Sequence, residues 1–313
     1  MIAFYILLFI ISLVLLYYGA EFSLDSSEKI GKKIGLPPIV VGMLLVGFGT
    51  SLPELFVSHL AIFRGASSVA FGTLIGSNVA NGFLVLGICS FFQTLRLNPK
   101  DHALYSTLHL LMTIALLILF QRQVFDIYAT LILLSIFFVN LYYIISNLRK
   151  DKHVGEENKN IVLTWKDSMY LGFGLAFLYG GGELLIYSGV RVCETFNIST
   201  YVISAIFVAF GTSFPELVTT LMSVFKKKDT DIIIGNIIGS NLFNCSFILG
   251  SIGYKSLPIT SSYSYEIYAL LSFSGLLLFL SMTRKSLNKI TGVVFLGTYL
   301  FLVLYWTKVI TFS

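Results

Sequence analysis

A nine-residue stretch, Gly47-Phe48-Gly49-Thr50-Ser51-Leu52-Pro53-Glu54-Leu55, recurs 162 residues later as Ala209-Phe210-Gly211-Thr212-Ser213-Phe214-Pro215-Glu216-Leu217, with seven of nine positions identical. Both copies lie inside long apolar segments. A carboxylate is costly there, and a proline breaks the helix that carries it. Keeping both features twice implies two related halves around one polar centre.

A second motif carries the same message. Gly72-Thr73-Leu74-Ile75-Gly76-Ser77-Asn78-Val79-Ala80-Asn81 matches Gly235-Asn236-Ile237-Ile238-Gly239-Ser240-Asn241-Leu242-Phe243-Asn244 at an offset of 163, and Gly19-Ala20-Glu21 matches Gly181-Gly182-Glu183 at 162. One inserted residue between the motifs explains the change.

The surroundings are those of a membrane protein. Hydrophobic residues make up 56% of the chain and charged residues 12%, at a mean hydropathy of +0.85, where soluble domains average about 25% charged. Segments long enough to cross a bilayer fall at about 3–20, 38–62, 68–92, 104–120, 124–147, 168–190, 201–225, 232–253, 266–283 and 289–307, which makes ten spans. The first has neither a basic leader before it nor a small-residue cleavage signal after it, and reads as a true span. Sixteen of the 21 Lys and Arg residues fall in one alternating set of loops. That bias places both termini outside, in a plasma or inner membrane. The +5 net charge then reports topology and contact with anionic lipid, and no nucleic-acid partner is expected.

Five spans per half is an odd number, so the second half enters the membrane upside down. The expected fold is all-α and multi-pass, ten transmembrane helices in two inverted-topology repeats, as in many secondary transporters. The first half covers 1–147, a short charged cytoplasmic linker 148–166, and the second half 167–313. No span is left over for an obligatory partner, which suits a monomer.

Glu54 and Glu216 are the only acidic residues deep in the expected spans; Glu21, Glu183 and Glu266 read as interfacial, and the first two could serve an entrance. At helical spacing Thr50, Ser51 and Glu54 project to one side. Pro53 cannot donate to the carbonyl of Gly49, so carbonyls around Gly47–Thr50 are released. Ala209, Gly211, Thr212, Ser213, Pro215 and Glu216 repeat the pattern. Freed carbonyls in a membrane must be buried in protein or line a hydrated cavity. Carbonyls, hydroxyls and two carboxylates form an oxygen-rich site suited to hard cations such as calcium or sodium. Ser77 with Asn81, and Ser240 with Asn244, lie at i,i+4 on one face each and are expected to meet the glutamate helices across the cavity. As an alternative, they are polar glue between helices that approach through Gly72-xxx-Gly76 and Gly235-xxx-Gly239.

Other chemistries find little support. Cys89, Cys193 and Cys245 are too scattered for a disulfide framework or a metal site, and no His/Cys cluster suits zinc or copper. No HExxH motif or nucleophile–base pair suggests an enzyme. His59, five residues past Glu54, reads as packing or interfacial, and His102, His109 and His153 read no differently.

The paired motifs resemble the alpha-repeats of the calcium/cation antiporter superfamily, and within it the sodium/calcium exchangers of prokaryotic type. The resemblance spans the whole chain and rests on Gly49–Glu54 with Gly76-Ser77-Asn78, and Gly211–Glu216 with Gly239-Ser240-Asn241. It implies an alternating-access antiporter with clustered cation sites at mid-membrane, in which the first and sixth spans slide against the remaining bundle. By that likeness Glu54 and Glu216 bind calcium with the backbone carbonyls of Thr50 and Thr212. Sodium sites then use Gly47, Ser51 and Ser77 on one side and Ala209, Ser213 and Ser240 on the other. The transported ions would be calcium and sodium, with no resident cofactor. One position departs: archaeal members carry Asp where this chain has Asn244, opposite Asn81. Two formal charges then match one calcium ion, and three sodium ions would leave one net positive charge. Calcium/proton exchange, other cation pairs and a passive cation channel remain as alternatives.

Overall fold

The computed structural model describes residues 2–148, 162–195, 212–259 and 262–306. Its first helix, α1 (Ile2–Ile34), runs for 33 residues and not the eighteen or so of the expected span, because Glu21, Asp25 and Glu28 find partners beyond the apolar stretch. At 1.5 Å per residue it is roughly 50 Å long, against a hydrocarbon core of about 30 Å. It ends where Gly35 turns left-handed at φ +75°, with the Leu36 amide closing on the Gly31 carbonyl at 2.8 Å.

The chain continues through α2 (Pro38–Thr50), α3 (Leu52–Phe63) and α4 (Ser67–Phe92). A short strand β1 (Leu95–Arg96), α5 (Pro99–Phe120), β2 (Val124–Phe125) and α6 (Ile127–Leu148) follow. After the linker come α7 (Trp165–Thr195) and α8 (Phe214–Phe225). Then come α9 (Thr230–Lys255), β3 (Leu257–Pro258), α10 (Ser264–Met282), β4 (Ser286–Leu287) and α11 (Lys289–Trp306). Among the described residues eight helices are long and apolar enough to cross a membrane, or nine if α2 and α3, bent by 41°, count as one span. The expected span 201–225 is described only from residue 212 on, and most of the linker lies outside the described residues.

Helices α4 and α9 form the centre, buried along most of their length, while α1, α6, α7 and α11 face outward. Two backbone-to-backbone crossings set the packing. Helix α2 lies on α9 through glycines of both: a Cβ on Gly42 or Gly47 would strike the α9 backbone, and one on Gly235 or Gly239 would strike α2 at Ile39 and Met43. Helix α1 crosses α7 through Gly19, Gly174 and Gly181; a Cβ on Gly19 would come within 2.7 Å of the Leu178 amide. The α1–α7 contact is the most extensive helix pairing among the described residues. Each central helix also loosens into a π-helical turn, Ala80–Val85 in α4 and Phe243–Ile248 in α9, each starting one residue before Asn81 or Asn244. Such turns widen the backbone and recur at functional sites.

Four two-residue strands pair across the sequence halves. β1 pairs antiparallel with β4 and β2 with β3. On the side that carries the lysine-rich loops, Lys226 bonds Glu21 at 2.7 Å and Asp25 at 3.1 Å, while Lys228 bonds Asp25 at 2.9 Å and Glu28 at 2.5 Å. The three acids fall about one turn apart on α1, so two lysines clamp that helix to the α8–α9 loop.

Burial pulls both ammonium groups down, but their hydrogen bonds and the carboxylate charges outweigh it, and both sit above the ordinary lysine value. A raised lysine stabilises the fold fully below about pH 10.5 and loses that contribution as pH rises through the folded value. The double variant Lys226→Met/Lys228→Met is therefore expected to melt earlier than wild type at pH 7, by about 1 kcal/mol of stability. The gap should close only at strongly alkaline pH, read by thermal denaturation in detergent.

Candidate cation site

The site is built where α2 gives way to α3 and where α8 begins. Ser51 leaves helical geometry at φ −84°, ψ 5°, and Ser213, which precedes α8, has the same backbone at φ −82°, ψ 5°. Pro53 and Pro215 then sit at the start of α3 and α8, where a missing amide hydrogen costs nothing. This corrects the expectation that Thr50, Ser51 and Glu54 share one face of a continuous helix. Glu54 and Glu216 instead lie in the first turns of new helices, at the positive end of the helix dipole.

Both carboxylates are fully buried and lie within Coulombic reach of each other. Neither Glu54 oxygen has a hydrogen-bond partner, and Glu216 Oε2 has none. Glu216 Oε1 accepts from Ser51 Oγ at 3.3 Å, a contact between the two repeats. No basic side chain pairs with either glutamate among the described residues. A helix N-terminus supplies about 0.3–1 kcal/mol to an anion, while burying one costs several. The dipoles alone do not hold two charges there.

The neutral groups cross in the same manner. Thr50 Oγ1 meets Ser240 Oγ at 3.4 Å, and its counterpart Thr212 meets Ser77 at 2.8 Å. The Ser77–Thr212 pair borders Glu54; one of its two hydroxyl hydrogens closes the contact between them, and the other stays available to the carboxylate. Asn78 and Asn241 each give an amide hydrogen to the other's backbone carbonyl, at 3.1 and 3.4 Å. Asn81 Oδ1 and both polar atoms of Asn244 are buried without a partner. Ser213 is buried just before α8. Ala209 lies outside the described residues.

The release of carbonyls needs a second correction. The Gly47 oxygen accepts from the Ser51 amide at 3.2 Å, from Ser240 Oγ at 3.1 Å and from Thr50 Oγ1 at 3.3 Å. Hydroxyls that can rotate away stand in front of it, so it is engaged and not bare.

Several neighbours escaped the sequence reading. Asn236, 1% exposed, bridges Thr50 at 3.5 Å and Thr220 at 3.1 Å. Its repeat mate is Thr73, and a change to a larger amide inside an apolar span was the available signal. His109 is fully buried and bonds Asn241 at 3.2 Å, whereas His59 behaves as expected, on the Leu55 carbonyl and Ser251. Buried His102 faces Asp231 at 3.3 Å. His153 lies outside the described residues. Cys245 accepts from Asn78, and Cys89 is buried and free. Glu183 is exposed, while Glu266 is buried and accepts from Trp306 Nε1 at 2.6 Å. Among the described residues no group of three His, Cys, Asp or Glu gathers. The donor set is two carboxylates with hydroxyl and amide oxygens, which suits a hard cation.

Comparison with known proteins agrees with this chemistry. The family model described as sodium/calcium exchanger protein matches residues 4–146 and 168–308. The sodium/calcium exchanger MaX1 of Methanosarcina acetivorans is 27% identical, the match covering 94% of this chain and 95% of that one. The inner membrane protein YrbG of Escherichia coli is 28% identical, with 96% of each chain covered. Human sodium/potassium/calcium exchanger 2 is 32% identical over 46% of this chain and 22% of its own length. A solved structure of the sodium-calcium exchanger NCX_Mj, soaked with sodium and strontium, superposes at a TM-score of 0.83 and 27% identity, covering 97% of this chain and 98% of that one.

The tight α2–α9 crossing yields a direct test. A Cβ on Gly47 would lie 2.9 Å from both the Asn236 carbonyl oxygen and the Ser240 amide nitrogen. Gly47→Ala is expected to force the helices apart at a cost of about 1–3 kcal/mol, seen as a melting temperature several degrees lower. An unchanged melting temperature would mean that the two helices do not touch there.

Proposed function

This chain belongs to the sodium/calcium exchanger protein family, and we propose from that premise that it exchanges sodium for calcium by alternating access. The carrying observation is the pair Glu54 and Glu216, buried together with three of four oxygens unpartnered and no basic counter-charge among the described residues. A divalent cargo ion between them would satisfy both charges at once. Thr50, Thr212, Asn81 and Asn244 would add neutral oxygens to that ion. Gly47, Ser51 and Ser77, with Ala209, Ser213 and Ser240, would take sodium on the two flanks once their hydroxyls turn toward it.

The proposed architecture is ten spans in two inverted halves, 1–147 and 167–313, with both termini outside. Reciprocal contacts support it: Thr50–Ser240 answers Thr212–Ser77, and the Asn78–Asn241 exchange is symmetric. The ladders β1–β4 and β2–β3 support it too, because each joins two loops expected on the same side. Smooth glycine contacts along α1 and α7 suit a sliding pair, which would expose the site alternately to each side while α4 and α9 hold it.

A second reading, calcium/proton exchange, draws on the same two carboxylates, since adjacent buried acids bind protons readily. Asn244 counts against it, because an amide there accepts no proton. The likeness to a sodium/potassium/calcium exchanger over part of the chain makes potassium a third condition to include.

In proteoliposomes, an outward sodium gradient is expected to drive calcium uptake with a net current. Uptake with potassium or a pH gradient alone would select an alternative, and calcium leak without any counter-ion would indicate a channel. Glu54→Gln and Glu216→Gln are each expected to lower sodium-driven uptake at least 100-fold. Asn244→Asp should make transport more sensitive to pH, falling as the medium is acidified.

A further inference from the structure

We infer that His109, which lies outside the proposed ion-binding shell, is a positioning residue that fixes the side-chain amide of Asn81 with its oxygen toward the cation. The inference rests on the cation-site reading above and adds to it the residue that sets the polarity of one ligand.

The hydrogen-bond directions decide this without ambiguity, because the network ends on backbone carbonyls, which only accept. At one end, Asn241 Nδ2 donates to the Asn78 carbonyl at 3.4 Å, so that nitrogen is placed and Asn241 Oδ1 must lie on the other side. Asn241 Oδ1 therefore accepts, and the group facing it at 3.2 Å is Asn81 Nδ2. Asn81 Nδ2 is thereby placed, with one hydrogen used on Asn241, and Asn81 Oδ1 on the other side is buried with no partner. At the other end, Ser274 Oγ donates to the Leu270 carbonyl at 2.7 Å. It accepts from His109 Nδ1 at 2.7 Å, which leaves His109 Nε2 as an acceptor for the second Asn241 amide hydrogen at 3.2 Å. His109, Asn241, Asn81 and Ser274 are all fully buried, and the His109 ring is held edge-to-face by Phe273 at 5.8 Å. Water does not substitute for any of these partners at the surface.

Without His109, one Asn241 hydrogen loses its acceptor, and only the long 3.4 Å contact to the Asn78 carbonyl still orients the amide. Asn81 can then turn its NH2 toward the cation, where two positive hydrogens replace an electron pair. Among the described residues the second half has no counterpart to this brace. Offsets of 162 and 163 bring Leu271 and Ser272 to the place of His109, and Asn244 keeps both polar atoms unpartnered. The two amides at the proposed site thus differ: Asn81 is locked oxygen-inward and Asn244 is not.

The test is a double-mutant cycle in proteoliposomes, reading half-saturating calcium and maximal rate. His109→Leu is expected to raise half-saturating calcium about tenfold, with the maximal rate within about twofold. His109→Gln, whose amide oxygen accepts from Asn241, should recover most of that loss. Asn81→Ala should raise half-saturating calcium by itself, and adding His109→Leu to it should change nothing further. Additive effects, or wild-type affinity in His109→Leu, would overturn the assignment. If His109→Leu is not recovered folded, Ser274→Ala should show the same shift at about threefold, and no shift there would count against it. Glu54→Gln separates the two levels. Calcium transport surviving in that variant removes the cation-site reading and this inference with it, whereas its loss beside a normal His109→Leu removes the inference alone.

Discussion

Two carboxylates buried within reach of each other, with no basic partner among the described residues, are the constraint to which the rest of the structure answers. A bilayer interior charges several kcal/mol for each, and no element nearby offsets that. The helix starts after Ser51 and Ser213 place each acid in a first turn, a partial relief at best. The central glycines, Gly42, Gly47, Gly235 and Gly239, bring α2 and α9 together so closely that hydroxyls of one repeat reach groups of the other. The π-helical turns widen α4 and α9 where Asn81 and Asn244 sit. The proposed cation would give these features a common physical reason.

Much of this was written in the sequence because membranes make polar groups conspicuous. Glu54, Glu216, Pro53 and Pro215 stand out against apolar neighbours, and the repeat offset tied them to Ser77, Asn81, Ser240 and Asn244. The positions of the described spans were legible for the same reason. What stayed hidden depends on three-dimensional direction. Helical spacing assumed a continuous helix through Ser51, so it sent that side chain toward Glu54, whereas the break turns it to Glu216. The end of α1 lay beyond the hydropathy signal, since Glu21, Asp25 and Glu28 only make sense once Lys226 and Lys228 are found beside them. His109 sits 28 residues past Asn81 on a separate helix, and no periodicity links the two.

The repeat is also informative where it fails. Thr73 and Asn236 are mates, yet only Asn236 carries an amide that joins Thr50 to Thr220. His109 has no mate at all. Duplicated halves begin with the same groups on each side, so such departures make the two flanks of the cavity chemically different. In the proposed exchange, a site that holds unlike ions in turn would benefit from that difference, because a symmetric cavity would treat both flanks alike.

The most direct test of the central claim is anomalous diffraction from crystals of this protein soaked in strontium, a heavy stand-in for calcium. A single strong peak between Glu54 and Glu216, within bonding distance of both carboxylates and lost in Glu54→Gln crystals, is the predicted result. A peak elsewhere in the chain, or an unchanged peak in the Glu54→Gln crystals, would contradict it.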